Sequence, residues 1–223
     1  VKAGLSAGDV ERRAGHTAVT LLREKDGDRQ ILFEDLGVGK DYMPSEAHYG
    51  MIAAADWVHL GTNSHAPLVR RLIADRVPFS IDVSTAHDAL PLRDVPIVFA
   101  SGPDDPRVPV EPLVAKLLAG GAGRVVVTCG SRGAFLSDGG ALLHAPAMPV
   151  PVVDTCGAGD SFIAGFLAAL RGEGCPAAEA LRRATAAAAQ TCLYVGGFPQ
   201  SPRKIPNWLL EKYADIITPA ERA

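Results

Sequence analysis

Short β-branched and aromatic runs alternate along this chain with longer segments whose apolar positions recur every three to four residues. Residues 57–60, 79–82, 97–100 and 124–128 have the length and composition of buried strands. Residues 66–75 and 110–119 lie between them with helical periodicity. This alternation predicts an α/β fold: a doubly wound, mostly parallel sheet with helices on both faces. Ahead of it, apolar runs at 17–22 and 30–33 flank Asp26-Gly27, a hairpin signal, and predict a small β unit over about 15–36. Ser45 reads as the N-cap of a helix reaching about Ala55. Further on, Phe135-Leu136 and Leu142-Leu143 suggest a second hairpin. Residues 176–195 form an Ala-rich helical pattern, and 206–217 a closing amphipathic helix.

The stretch that organises the rest is 150–170. It begins with a β-branched run, 150–153, that reads as a buried strand. The chain then passes Asp154 and Gly157-Ala158-Gly159 and opens into an apolar helix. Phe162, Phe166 and Ala169 recur there at helical spacing, with Ile163, Leu167 and Leu170 beside them. A glycine turn feeding a helix leaves unpaired backbone N–H groups aimed at one point, which favours an anion. Asp160, in the first turn, holds a carboxylate beside that point. A proton acceptor next to an oxyanion cradle is what transfer of a phosphoryl group to an alcohol requires. Ligands of parallel sheets bind at the C-terminal strand ends, where His59, Asp82, Ser101, Thr128 and Asp154 fall.

Composition narrows the partners. The 223 residues carry a formal net charge of −3 and a pI of about 6.1, so no basic surface points to nucleic acid or an anionic membrane. No apolar run approaches the roughly 18 residues of a membrane span. Cys129, Cys156, Cys175 and Cys192 are widely spaced with no C-x-x-C pair, the usage of a reduced, cytoplasmic protein. The six histidines are scattered without the spacing of a zinc site.

Asp154-Thr155-Cys156-Gly157-Ala158-Gly159-Asp160 resembles the D-T-x-G-A-G-D signature of the ribokinase-like (PfkB) carbohydrate kinases. Val127-Thr128-Cys129-Gly130-Ser131-Arg132-Gly133 is similar to that family's V-T-x-G-x-x-G segment. The resemblance implies ATP-dependent, Mg²⁺-requiring phosphorylation of a hydroxyl on a sugar or sugar-like molecule. Asp160 is then the base, and the backbone N–H groups of Gly157, Ala158, Gly159 and Asp160 stabilise the transferring phosphoryl group. Thr128, Gly130 and Gly133 would line the nucleotide's phosphates and ribose. Thr185 and the loop with Gly196 and Gly197 would flank adenine. Asp154, the Cys156 carbonyl and that loop correspond to a monovalent-cation (K⁺) site of some members. The 15–36 hairpin becomes a lid over the sugar site and a homodimer interface.

Residues 56–63 and 80–84 look more like the fructoselysine-kinase branch than ribokinase, with His59, Asn63 and Asp82 as substrate contacts. Gly61 stands where ribokinases carry a sugar-binding Glu. The implied acceptor is a ketohexose, a fructosamine or a related compound. Where the family has N-x-x-E, this chain reads Ser101-Gly102-Pro103-Asp104, which makes Asp104 the expected Mg²⁺ carboxylate. The family's early Gly-Gly substrate motif and sugar-binding Asp have no counterpart, and Val1 is not an initiator. The natural protein is therefore expected to be longer at its N-terminus, with 1–223 as one α/β kinase domain. A nucleotide- or sugar-binding regulatory subunit would fit these departures, but Asp160 speaks against it, since only chemistry needs a carboxylate there. An NAD(P)-dependent oxidoreductase shares the alternation, yet no G-x-G-x-x-G follows a strand.

Overall fold

Two strands, β1 (Val19–Lys25) and β2 (Asp28–Asp35), pair antiparallel as a separate sheet with a bulge between Leu21 and Leu22. The structure, a computed structural model, describes residues 6–25, 28–199 and 203–221. Asp26-Gly27, read as the hairpin turn, lies outside the described residues. Phe33 of β2 packs against Tyr213, ring centroids 5.0 Å apart, which ties the small sheet to the C-terminal helices.

Helix α1 (Glu46–Ala53) begins as expected at Ser45, whose Oγ accepts the His48 N–H. A six-stranded sheet follows, made of β3 (Val58–Leu60), β4 (Phe79–Asp82), β5 (Ile97–Ser101), β6 (Val125–Thr128), β7 (Ala134–Ser137) and β8 (Leu143–Ala145). Spatial order equals chain order. β3 to β6 run parallel, and β7 and β8 are added antiparallel.

Period-two alternation divides the strand side chains between two cores. One contains Ile81, Val98 and Val127 with Leu68, Val69 and Leu72 of α2 (Ala66–Ala74) and Val114 and Leu117 of α3 (Glu111–Ala119). The other contains Phe99, Val126 and Leu136 with Phe162, Ile163 and Phe166 of α4 (Ala158–Leu167) and Leu181 and Ala184 of α5 (Ala177–Thr191). Small residues let α4 and α5 approach closely: a Cβ at Gly165 would stand 3.0 Å from the Ala187 Cβ.

Three expected elements come out differently. Residues 150–153 are not a strand, and Val152 and Val153 are 58% and 59% exposed. Pro149 and Pro151 have no N–H to place in a ladder, so β8 remains the edge of the sheet. Val153 N–H instead donates to Cys192 O at 2.8 Å. Asp154 therefore follows a loop, not a strand end. The Ala-rich helix stops at Thr191, short of Val195. The closing helix is two helices, α6 (Asn207–Lys212) and α7 (Ala214–Glu221), broken at Tyr213. Tyr213 is buried against Phe33, and its φ of −114° and ψ of 21° take it out of the helix.

Phe166 is fully buried and meets Phe99 edge to face, centroids 5.6 Å apart. Phe166→Ala is expected to lower stability by about 3–5 kcal/mol, the range for emptying a packed aromatic site. Urea denaturation followed by circular dichroism measures it, and a loss under about 1 kcal/mol would show that α4 does not anchor this core.

Candidate active site

Gly157 determines how α4 begins. Its φ of 72° and ψ of 3° lie in the left-handed region, and a Cβ there would stand 2.6 Å from Gly197 Cα. As the N-cap it has no side chain to satisfy the first turn. Ala158 N–H, expected among the anion donors, is engaged with Thr155 O at 3.2 Å. The N–H groups of Gly157, Gly159 and Asp160 have no partner among the described residues. Three donors and the positive end of the helix dipole thus meet at one place. The Asp160 side chain is exposed there and makes no hydrogen bond to the described residues.

Asp154 holds this loop from behind. Its Oδ1 accepts the Cys156 N–H at 2.9 Å and its Oδ2 the Gly196 N–H at 2.8 Å. Gly196 and Gly197, expected beside adenine, meet the 154–157 loop, the first on Asp154 and the second against Gly157. Ser161 is tied to α5 through the Thr191 hydroxyl, which donates to its Oγ at 2.6 Å.

A cavity of about 540 Å³ opens beside the loop, and Thr128, Gly130, Gly133 and Thr185 all line it. Phe162, Ala158 and Ala189 supply an apolar wall. The Thr185 hydroxyl donates to Arg182 O at 2.8 Å and so is spent within α5. Gly130 has φ 47°, and a Cβ on it would collide with the Asp104 carboxylate. Asp104 therefore stands at the rim of this cavity. Burial pushes the Cys129 thiol up from its ordinary value, with Arg132 opposing and Asp104 adding to the rise. Among the described residues, no group of three or more His, Cys, Asp or Glu could hold a metal ion unaided.

A second cavity, of about 340 Å³, lies at the C-terminal ends of β3 and β4. Asn63 and Asp82, both expected here, line it together with Thr62, His65, Lys40 and Asp41. Asp82 accepts the Ser84 N–H at 2.8 Å and the Thr62 hydroxyl at 2.9 Å, which pins the two strand-end loops together. His65 Nδ1 lies 3.3 Å from Asp41 Oδ1. Lys40 and Asp41 follow β2, so the segment leaving the small sheet forms one wall of the cavity. Sequence reading missed Lys40, Asp41, Thr62 and His65, for which a position just after a strand or helix start was the only signal.

His59, expected as a substrate contact, is not among the residues lining either cavity and stands on β3 beside Ser80 of β4. Desolvation lowers its pKa, and the charges of Asp82 and Asp160 both act against that lowering. Its Nδ1 is 2.9 Å from the hydroxyl of Ser80, a fully buried residue that sequence reading also passed over. A lone serine in the apolar run of β4, opposite a histidine, is the signal that could have found it.

This arrangement can be compared with known proteins. The pattern of the family described as "pfkB family carbohydrate kinase" matches residues 101–204. Fructoselysine 6-kinase of Escherichia coli (strain K12) is 34% identical over 204 residues, covering 87% of this chain and 76% of that protein. The chain belongs to the pfkB family of carbohydrate kinases. A fructosamine kinase, FrlD, of Bacillus subtilis (strain 168) is 36% identical over 160 residues, 69% of this chain and 55% of that protein. Among solved structures, ribokinase from Thermotoga maritima superposes with a TM-score of 0.69 at 21% identity, covering 85% of this chain and 68% of that one. The sugar-kinase fold thus accounts for the parallel sheet, and the separate β1–β2 sheet fits a lid.

Gly157→Ala would put a side chain into a left-handed position, a strain of about 1–2 kcal/mol, and against Gly197 as well. The expected outcome is a folded protein with lowered melting temperature and weakened ATP binding by calorimetry. Unchanged binding would mean that the loop's N–H groups do not hold the anion.

Proposed function

We propose that the protein transfers the terminal phosphoryl group of ATP to a hydroxyl of a ketose-type acceptor, in the fructosamine and ketohexose class. The observation that carries this reading is Asp160, a carboxylate with no hydrogen bond to the described residues, beside three N–H groups that have no partner among them at an uncapped helix start. In the reaction the acceptor oxygen attacks phosphorus and its proton passes to Asp160. The bond from phosphorus to ADP breaks, and the N–H groups of Gly157, Gly159 and Asp160 hold the charge on the transferring oxygens. The 540 Å³ cavity suits the nucleotide, with its apolar wall for the base and Gly130 and Gly133 for close approach to the phosphates. A ribokinase of Arabidopsis thaliana, solved with ribose and ATP, is 26% identical with a TM-score of 0.66, which supports the choice of nucleotide.

Mg²⁺ fits the residues present. The ion keeps several waters and needs only one or two carboxylates besides the substrate's phosphates, and Asp104 stands at the right rim. When bound, it supplies charge neutralisation on the phosphates. We assign Asp154 to holding the anion loop, each of its oxygens accepting an N–H group.

The acceptor is assigned to the second cavity, where Asn63 and Asp82 meet the hydroxyls. Lys40 and Asp41 bring both charge signs to one wall, which suits an acceptor carrying an amino acid as fructoselysine does. The names of the Escherichia coli and Bacillus subtilis relatives favour the same class.

We further assign the β1–β2 sheet to a homodimer interface. Leu22 and Ile31 are paired across the strands and are 45% and 65% exposed, an apolar pair that a second copy would cover. Ile31→Lys is expected to convert a dimer to monomer in sedimentation velocity, and a wild-type monomer at micromolar concentration would refute the interface.

A screen of sugars, including ketohexoses and fructosamines, for ATP consumption tests the activity. Asp160→Asn should keep ATP affinity yet lower kcat by about 10²–10⁴. A variant with most of its turnover intact would remove Asp160 from the role of base.

A further inference from the structure

Trp57, Ser80 and His59 form a hydrogen-bond chain across the start of the sheet. His59 and Ser80 are register partners in the parallel ladder, and Trp57 lies two residues before His59, so all three share one face. Trp57 Nε1–H donates to Ser80 Oγ at 3.1 Å, and Ser80 Oγ is 2.9 Å from His59 Nδ1. Ser80 is 0% exposed, yet its hydroxyl is not among the buried groups lacking a partner.

Counting donors sets the tautomer. An indole nitrogen only donates, so Ser80 Oγ must accept from Trp57. The hydroxyl proton then has one acceptor among the described residues, His59 Nδ1. Were Nδ1 to carry a proton, Ser80 would receive two donors and its own proton would be stranded in a buried site. Nδ1 is therefore the acceptor, and the ring hydrogen is on Nε2. Nε2 has no partner among the described residues, and His59 is exposed.

We propose that Trp57 and Ser80 are positioning residues that hold His59 neutral with Nε2–H outward, a hydrogen-bond donor to an oxygen of the acceptor sugar beside Asp160. This rests on the sugar-kinase reading of the site. A neutral imidazole matters there because an imidazolium would add a positive charge that acts on Asp160, the carboxylate needed by the attacking hydroxyl. The charged groups acting on His59 are Asp82 at the end of β4 and Asp160 on α4, both favouring the imidazolium, while burial opposes them. From β5 it meets the uncharged ring of Phe99, centroids 5.9 Å apart and nearly perpendicular. Arg171, 4.6 Å over the Trp57 ring, adds a positive charge behind the chain. The Trp57–Ser80 pair strengthens the neutral form, since protonating Nδ1 breaks the pattern of donors.

The test reads the imidazole directly. Long-range ¹H–¹⁵N spectra of labelled protein, with His59 assigned by its loss in His59→Ala, should show a pyridine-like Nδ1 and a pyrrole-like Nε2 at pH 7. Trp57→Phe frees Ser80 to accept, so both tautomers should appear and the His59 titration midpoint should rise by about one pH unit. The acid limb of kcat/KM should move up with it. Ser80→Ala provides a second route to the same shift should Trp57→Phe fold poorly. His59→Ala should raise the sugar KM by about 3- to 10-fold with the ATP KM unmoved. An Nδ1–H tautomer or an imidazolium in the wild type at pH 7 overturns the positioning chain. An unchanged sugar KM in His59→Ala overturns the contact with the acceptor. If the wild-type protein phosphorylates no sugar at all, the functional reading falls, and the tautomer still decides the Trp57–Ser80–His59 chain.

Discussion

The open start of α4 is the constraint on which the rest of the site depends. Most helix starts in proteins are satisfied by a side chain, as Ser45 does for α1. Gly157 cannot do so, and its left-handed backbone opens a helix start at which the N–H groups of Gly157, Gly159 and Asp160 have no partner among the described residues. Leaving those donors unpaired is stable only where water or an anion can reach them, and Asp160 and Gly159 are exposed. Asp154 keeps the turn from relaxing, because it holds Cys156 and also Gly196, 42 positions away from it in sequence. Catalytic geometry and loop stability therefore depend on the same few backbone atoms.

Two cavities of different chemistry lie within reach of that helix start. The larger is walled by Ala158, Phe162 and Ala189, small or apolar side chains delivered by the close α4–α5 packing at Gly165. The smaller carries Lys40, Asp41, His65 and Asp82, whose charges suit a polar, hydroxyl-rich molecule. A carbohydrate kinase must hold one partly flat, apolar substrate and one polyol, and cavities of both characters are present. Its second core holds α4 rigid from below through Phe99 and Phe166, so the carboxylate of Asp160 is presented by a packed helix and not by a mobile loop.

Much of this was legible in the residue order. Ile97, Val98, Phe99 and Val125, Val126, Val127 have no conformational choice but a buried strand between helices, because their branched side chains suit a sheet and the helical periodicity lies on either side. Gly157-Ala158-Gly159-Asp160 likewise announces an anion-binding helix start from local backbone chemistry alone. These features are local: each follows from residues within a turn or a strand of one another. Where local propensity competed with tertiary context, it lost. The valines at 150–153 favour a strand, but Pro149 and Pro151 remove the donors that a sheet edge would need, and the run stays outside the sheet.

The contacts that complete the site join distant segments, and only the folded chain decides those. Asp154 meets Gly196, Asp41 meets His65, Asp104 meets Gly130, and Trp57 reaches Ser80. No periodicity records such meetings, because they depend on which strand lies beside which and in what register. The sequence by itself determined most of the elements, the glycine-led start of α4 and the family's motif. Tertiary structure decided that Ala158 is spent on Thr155, that Gly196 and Gly197 brace the glycine turn, and that a buried serine meets His59. The physical reason is the same in each case: a hydrogen bond needs its partner within about 3 Å, and sequence separation does not set distance in a packed chain.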